Sequence, residues 1–279
     1  MPGKDKKYRG KVKGVIFDLS GTIIDHGCFG HINPFIETFK SRHTTITEND
    51  IRKDTGLSLT HHITALCKTK KVKKPWLEKY GKQITIDDIK EIKSEIEEKM
   101  IANIDQHHNV INKVVKTLNV IRGLGIKVVL TTEYNLNIAD LLFDKIKKAG
   151  GKADAFISLS DIPNINEARP YPWMCYRALL ELKEYPLCSF VKVGDTFYDI
   201  QEGINAGMWT VGVAKTGNLL GMTEKTLKEK GQKKIEKKVN KIYHIMKRAG
   251  ANYVVDSVHD IVWVIDEINN YLKKGSSPC

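Results

Sequence analysis

Hydrophobic positions along this chain follow two alternating periods. Short, largely apolar runs rich in Val, Ile and Phe occur at residues 15–19, 126–132, 155–159, 189–193, 209–213 and 253–255. Runs of this kind belong to strands covered on both faces. From residue 110 onward, stretches with helical periodicity separate them: 110–122, closed by Gly123 and Gly125; 135–149, closed by Gly150 and Gly151; 170–183, with prolines in its first turn; 198–206, stopped by Gly207; 224–249, interrupted at Gly231; and 258–272. Strand alternating with helix predicts an α/β fold, a parallel sheet with helices on both faces. Residues 275–279 read as a loose tail.

Residues 33–100 break this rhythm and carry helical spacing only. Thr85 followed by Asp88 is an N-cap with an acidic first turn, after which Ile86, Ile89, Ile92, Ile96 and Met100 recur on one face; Thr47 opens another helix. An all-helical insert between the first two strands predicts a small cap domain, residues 33–106, over a core domain of residues 1–32 and 107–279. Its hinges are expected near residues 28–33 and 106–109.

Composition leaves this picture in place. Hydrophobic residues make up 41% of the 279 and charged residues 28%, the balance of an ordinary globular protein. No apolar run approaches the roughly 18 residues of a membrane span, and no secretory segment follows the basic N-terminus, so a cytoplasmic protein without membrane contact is expected. Five scattered cysteines without CxxC spacing suggest neither a disulfide framework nor a zinc site. The net charge of +12 raises the question of nucleic acid. The excess lies in the N-terminus, residues 68–82 and residues 225–248 with few aromatics between, which reads as a solvated lysine surface and not a nucleic-acid interface.

The candidate chemistry stands at strand ends. Asp18 ends the first strand before a Gly21-Thr22 turn, Thr131 and Thr132 end the second, Arg169 opens an Arg-Pro-Tyr-Pro stretch, and Asp195 and Asp199 follow Val193-Gly194. An open α/β sheet presents reactive groups at this carboxyl edge. Asp, Thr, Arg and Asp in that order suit a magnesium-dependent phosphoryl site. Each has a plainer reading: Asp18 as a turn residue, Thr132 as a strand residue, Arg169 as a surface ion pair.

Six stretches carry a resemblance: 18–22 (DLSGT), 25–29 (DHGCF), Thr131-Thr132 with Tyr134, 169–176 (RPYPWMCY), 193–199 (VGDTFYD) and 206–213 (AGMWTVGV). Together they resemble the phosphonatases, the phosphonoacetaldehyde hydrolase branch of the haloacid dehalogenase superfamily, from about residue 14 to residue 272 and most strongly outside the cap. The resemblance implies a Rossmann-like core and Mg²⁺. Asp18 would be nucleophile and metal ligand, with the Ser20 carbonyl and Asp195 as further ligands. Asp199 would orient a metal-bound water or simply start a helix. Thr132, Arg169 and the Gly21 and Thr22 N–H groups would hold phosphoryl oxygens, with Cys28 and Tyr134 in the substrate-binding set. The substrate would be a small phosphorylated or phosphonate metabolite, and a homodimer through the cap is compatible with the resemblance.

Two departures limit the transfer. The family's Schiff-base lysine, three residues before a cap histidine, falls on Leu59 when His62 takes the histidine's place; His61 precedes it. Ser20 stands where phosphatase branches carry a second Asp as acid, and a serine hydroxyl is a poor acid at neutral pH. His62, or His61, is then a candidate proton source, unless both merely pack helices. Glu133, where the family has Gly, would repel an anionic substrate unless it points away, pairs with a lysine, or serves as the acid. The expectation is a hydrolase working through an aspartyl-phosphate at Asp18. The alternatives are a phosphonatase with a displaced lysine (Lys53, Lys68, Lys70 or Lys71) and a weak or inactive relative that binds a phosphorylated ligand or a partner.

Overall fold

The computed structural model describes residues 7–278, the side chains of Ile165 and Gln232 excepted. The first six residues of the basic N-terminus and Cys279 therefore lie outside the described residues. Strands β1 (Gly14–Asp18), β2 (Lys127–Thr132), β3 (Ala155–Ser158), β4 (Phe190–Gly194), β5 (Trp209–Val213) and β6 (Tyr253–Val255) form one parallel sheet in the order β3-β2-β1-β4-β5-β6. The chain runs outward from β1 in one direction, then returns to β4 and continues in the other. The β1/β4 seam is thus the switch point where an open parallel sheet leaves a crevice at its carboxyl edge.

Alternate strand residues feed two layers, as the pleat requires. Val15, Phe17, Val128 and Leu130 pack with Leu118 and Ile121 of α7 (Val114–Gly123), Ile138 and Leu142 of α8 (Leu136–Lys148) and Ile265 and Ile268 of α13 (Ile261–Lys273). Ile16, Val129 and Phe190 pack with Met174, Cys175 and Ala178 of α9 (Trp173–Leu182). On that second side Ile200 of α10 (Phe197–Asn205) joins Ile242 and Met246 of α12 (Gln232–Arg248), which follows α11 (Glu224–Lys230) after a break at Gly231.

Between β1 and β2 the chain is helical: α1 (Ile32–Ser41), α2 (Glu48–Arg52), α3 (Leu59–Lys68), α4 (Lys70–Tyr80), α5 (Ile86–Ala102) and α6 (Ile104–His107). Thr47 and Thr85 each close a capping box, with Asp50 and Asp88. On α5, Ile92, Ile96 and Met100 are fully buried while Ile86 is exposed, so the apolar stripe narrows toward the N-terminus. Apolar residues of the insert, among them Phe35, Ile63 and Ile92, are continuous with the core of the first layer. Among the described residues no helix is long and apolar enough to cross a membrane.

Three sequence-derived boundaries are corrected. The helix expected from residue 110 starts at Val114, because Val110 bridges Ile24 and the Ile111 N–H donates to the Ile23 carbonyl, holding this stretch extended. The helix expected from residue 170 starts at Trp173 with Pro172 as its N-cap, so the prolines precede the helix. Residues 275–278 are not a loose tail: the Gly275 and Ser276 N–H groups donate to Leu272 and Tyr271, and Asn252 Nδ2 donates to the Pro278 carbonyl.

Candidate active site

Parallel register brings the expected residues to one edge. Asp18 is the last residue of β1 and pairs with Thr131, one short of the end of β2, while Gly194 ends β4 immediately before Asp195. Asp18, Asp195 and Asp199 place carboxylate oxygens within 4.8 Å of one another, all buried. Glycines make this crowding possible. Gly21 has φ +77°, and a Cβ there would stand 2.6 Å from Asp195 Oδ2; a Cβ on Gly194 would collide with the Asp199 carboxylate.

Two buried cations answer the acids. Arg169 donates from Nη1 to Asp18 Oδ1 (2.7 Å), from Nε to Glu202 Oε2 (2.9 Å) and from Nη2 to Thr131 Oγ1 (3.1 Å), and Nη1 lies 3.0 Å from Asp199 Oδ1. Lys192, fully buried in β4, donates to Glu202 Oε2 (2.7 Å) and Thr131 Oγ1 (3.1 Å) and stands 3.4 Å from Asp199 Oδ1. Thr131 in turn donates to the Phe17 carbonyl. Arg169 Nε also lies 3.4 Å from Glu133 Oε1, so five carboxyl groups (Asp18, Glu133, Asp195, Asp199 and Glu202) gather around two cations.

The titration behaviour follows from this imbalance. Burial raises Asp18 to about 6, with the Asp199 charge adding and Arg169 and Lys192 opposing. Burial and the Asp18 and Asp199 charges push Asp195 well above the usual carboxylate range, although the Asn218 N–H donates to its Oδ2 at 2.7 Å. Burial also acts to raise Asp199, but Arg169 and Lys192 outweigh it and hold it low.

Asp199 starts a helix, as one of its two readings expects, and also stands in the acidic cluster. Its Oδ2 accepts from the Thr196 N–H and hydroxyl in a capping box that starts α10. Its Oδ1 is buried without an aligned hydrogen bond and faces the carboxylate cluster.

Above the cluster, a cavity of about 50 Å³ joins the two parts of the chain. Asp18, Ser20, Thr132, Glu133, Tyr134, Arg169 and Thr196 line it from below, and His31, Phe35, Thr55, Gly56, Leu57, Leu59 and His62 from the helical insert. Leu59 and His62 thus stand in one chamber with Asp18. Burial lowers His62 to about 4, and its Nε2 has no partner; burial and the neighbouring His62 lower His31 well below the ordinary value. Both are neutral imidazoles at pH 7.

Several expected residues stand elsewhere. The Gly21 N–H donates to Ile24 and the Thr22 N–H to Leu19, so both are taken up inside the turn and neither is free for a phosphoryl oxygen; the Thr22 hydroxyl donates to Asp195 Oδ1. Cys28 is buried against Asp195 Oδ2 at 3.4 Å and does not line the cavity, because the turn that folds it under Gly21 points its thiol at the carboxylate cluster. His61 pairs with Ser58 outside the cavity. Lys53, Lys68, Lys70 and Lys71 are exposed and none lines the cavity; Lys53 and Lys71 lie against Asp50. The displaced-lysine alternative therefore lacks a candidate among them.

Sequence reasoning passed over Lys192, Glu202 and His31. A single Lys inside the apolar run 190–194 was the available signal, since a central parallel strand tolerates a cation only with buried partners. Glu202 falls one helical turn after Asp199, on the same face of α10.

A six-stranded parallel sheet with an acidic cluster at its switch point and a helical insert above defines a class, and the comparisons agree. Residues 15–213 match the family model of haloacid dehalogenase-like hydrolases, and the chain belongs to that family. Within it the chain is a hydrolase of the phosphatase- and phosphonatase-like kind. It is 34% identical to a phosphonoacetaldehyde hydrolase-like protein of Syntrophobacter fumaroxidans over 275 residues, 99% of this chain and 98% of the relative. It is likewise 34% identical to a phosphonoacetaldehyde hydrolase of Bacillus cereus over 258 residues, 92% of this chain and 97% of the relative. The solved structure of a phosphonoacetaldehyde hydrolase-like protein from Oleispira antarctica superposes with a TM-score of 0.95 at 27% identity, covering all of both chains.

Proposed function

We propose that this protein hydrolyses a small phosphorylated or phosphonate metabolite by transferring the phosphoryl group to Asp18 and then to water, with Mg²⁺ bound by Asp18, Asp195, Asp199 and the Ser20 carbonyl. The observation that carries this reading is the buried cluster at the β1/β4 seam. Its carboxyl groups outnumber its two buried cations, which favours a further cation among them, and Asp199 Oδ1 is a buried acceptor lacking an aligned donor. Oxygen-only ligands suit Mg²⁺. When bound, the ion would reduce the repulsion between the Asp18 carboxylate and an anionic phosphoryl group.

The protein's own groups do the rest. Arg169 holds Asp18 Oδ1 in place from one side and is itself fixed by Glu202 and Thr131, so the nucleophile is oriented before substrate arrives. Thr132 and Arg169 face the cavity from below and would receive phosphoryl oxygens. The leaving group would occupy the side formed by Phe35, Leu57, Leu59 and His62. The chamber, with room for only a few waters, restricts the ligand to a small molecule. We further propose that residues 33–106 move as a cap to admit it.

The test is hydrolysis of a panel of small phosphate esters and phosphonates with Mg²⁺ or EDTA. Activity should need the divalent ion, and Asp18→Asn should lower turnover by at least about 1,000-fold while leaving the thermal transition in place. Acid quenching during turnover should find a phosphoryl adduct on the peptide containing Asp18. Activity within tenfold of wild type in D18N would overturn the assignment.

A further inference from the structure

We propose that Glu133 is the acid that protonates the leaving oxygen, so that the substrate is a phosphate monoester of a small alcohol and not a phosphonate. This rests on the hydrolase reading above and adds to it the missing proton donor and the bond that breaks.

Glu133 follows Thr132 at the end of β2, is buried, and lines the cavity that contains Asp18. Its Oε1 accepts the Arg169 backbone N–H at 3.0 Å and lies 3.4 Å from Arg169 Nε. The same guanidinium donates to Asp18 Oδ1, so one planar group spans the nucleophile and Glu133. Oε2 is buried and has no hydrogen-bond partner. A buried carboxyl oxygen left unsatisfied beside a ligand chamber is costly unless it is protonated or meets a ligand. Burial and the nearby Glu202 charge, opposed by Arg169 and Lys192, raise Glu133 to about 8, so it carries a proton at neutral pH.

The other groups lining the chamber are poorer donors. His31 and His62 are neutral, burial raises the Tyr134 phenol far above its ordinary value, and Ser20 has only a hydroxyl. Among the described residues no amine lines the chamber, and Lys192 is held below by Glu202 and Thr131. Cleavage of a P–C bond leaves a carbanion and needs an electron sink such as an imine, which this set cannot form. Cleavage of a P–O bond needs only a proton on the departing oxygen, which Glu133 supplies.

The step balances. An Asp18 oxygen bonds to phosphorus as the bond from phosphorus to the ester oxygen breaks; that oxygen keeps the electron pair and takes the Glu133 proton, releasing an alcohol. Water then attacks phosphorus, its proton passes to the Glu133 carboxylate, and the bond from phosphorus to the Asp18 oxygen breaks. Phosphate leaves, with Asp18 ionised and Glu133 protonated as before.

The experiment compares Glu133→Gln with wild type on p-nitrophenyl phosphate, whose leaving group needs little protonation, and on simple alkyl phosphates, whose leaving groups need it. Gln keeps an oxygen for the Arg169 N–H. The expected result is a loss of at least about 100-fold in kcat/KM on alkyl phosphates and under about threefold in kcat/KM on p-nitrophenyl phosphate, since kcat/KM reports the step that releases the alcohol; kcat falls on both, because Glu133 also takes the proton of the attacking water. Equal losses of kcat/KM on both, or none, would overturn the acid assignment alone. No Asp18-dependent turnover of any ester or phosphonate by wild type would overturn the hydrolase reading and the acid assignment with it. Wild-type turnover of phosphonates but of no ester would overturn the substrate class. If E133Q does not fold, Glu133→Asp gives the same comparison, since it keeps the acid but draws it back by one methylene. Carboxyl infrared difference spectra of wild type against the variant supply an independent check: a protonated acid band at neutral pH is expected, and a carboxylate band alone would overturn the proposal.

Discussion

Leu59 is the residue whose identity matters most. It stands in the chamber with Asp18 and His62, at 7% exposure, at the position that the resemblance gives to the family's Schiff-base lysine. Borohydride with phosphonoacetaldehyde should therefore trap no adduct on the wild-type protein. In Leu59→Lys the apolar walls formed by Phe35 and Leu57 would lower the new lysine's pKa and leave a reactive neutral fraction. Mass spectrometry should then find a reduced adduct on residue 59. An adduct on the unmutated chain, at any lysine, would show that the chamber has been misread.

At the scale of elements, the contact between α2 and the core couples the insert to the acidic cluster. Arg52, at the end of α2, donates from Nη1 to the Gly27 carbonyl (2.8 Å) and to Asn218 Oδ1 (3.0 Å), while its own carbonyl accepts from Asn218 Nδ2 (2.9 Å). The Asn218 N–H holds Asp195. A chain of hydrogen bonds thus runs from the helical insert to a carboxylate of the cluster. Arg52→Ala removes the guanidinium and should favour an open insert. A cost of about 1.4 kcal/mol for closing would raise KM about tenfold. Steady-state kinetics with the best ester substrate checks this; an unchanged KM would mean that α2 does not govern access.

Across the whole molecule, the buried imidazoles tie stability to pH. His62 falls from 6.5 when unfolded to about 4 when folded. Between these values the unfolded chain binds a proton that the native chain refuses, so stability is full above about pH 6.5 and declines as pH falls toward 4. At about 1.4 kcal/mol per pH unit, His62 alone contributes up to about 3 kcal/mol of that loss, and His31 acts in the same direction. Urea midpoints of wild type should fall more steeply from pH 7 to pH 4 than those of His62→Gln, and parallel slopes would refute the burial argument.

The order of elements was legible along the chain because each strand or helix is fixed by local periodicity, caps and glycines. The strand ends carrying Asp18, Thr132 and Asp195, and the capping box at Thr85, needed nothing more. The acidic cluster followed as well, since parallel strands must bring their carboxyl ends to one edge. Other features depend on contacts between residues far apart in sequence. Val110 is extended because Ile24 lies beside it, the Gly21 and Thr22 N–H groups are consumed by their own turn, and Cys28 faces Asp195 instead of substrate. Lys192 and Glu202 are partners only because α10 packs on β4. Glu133 read as an awkward extra charge beside a phosphate site; burial and the Glu202 charge, against the pull of Arg169 and Lys192, raise its pKa and favour its protonated form. Periodicity records which side of an element is apolar, but a carboxyl group's protonation depends on the dielectric and the charges around it, and those exist only once the chain has folded.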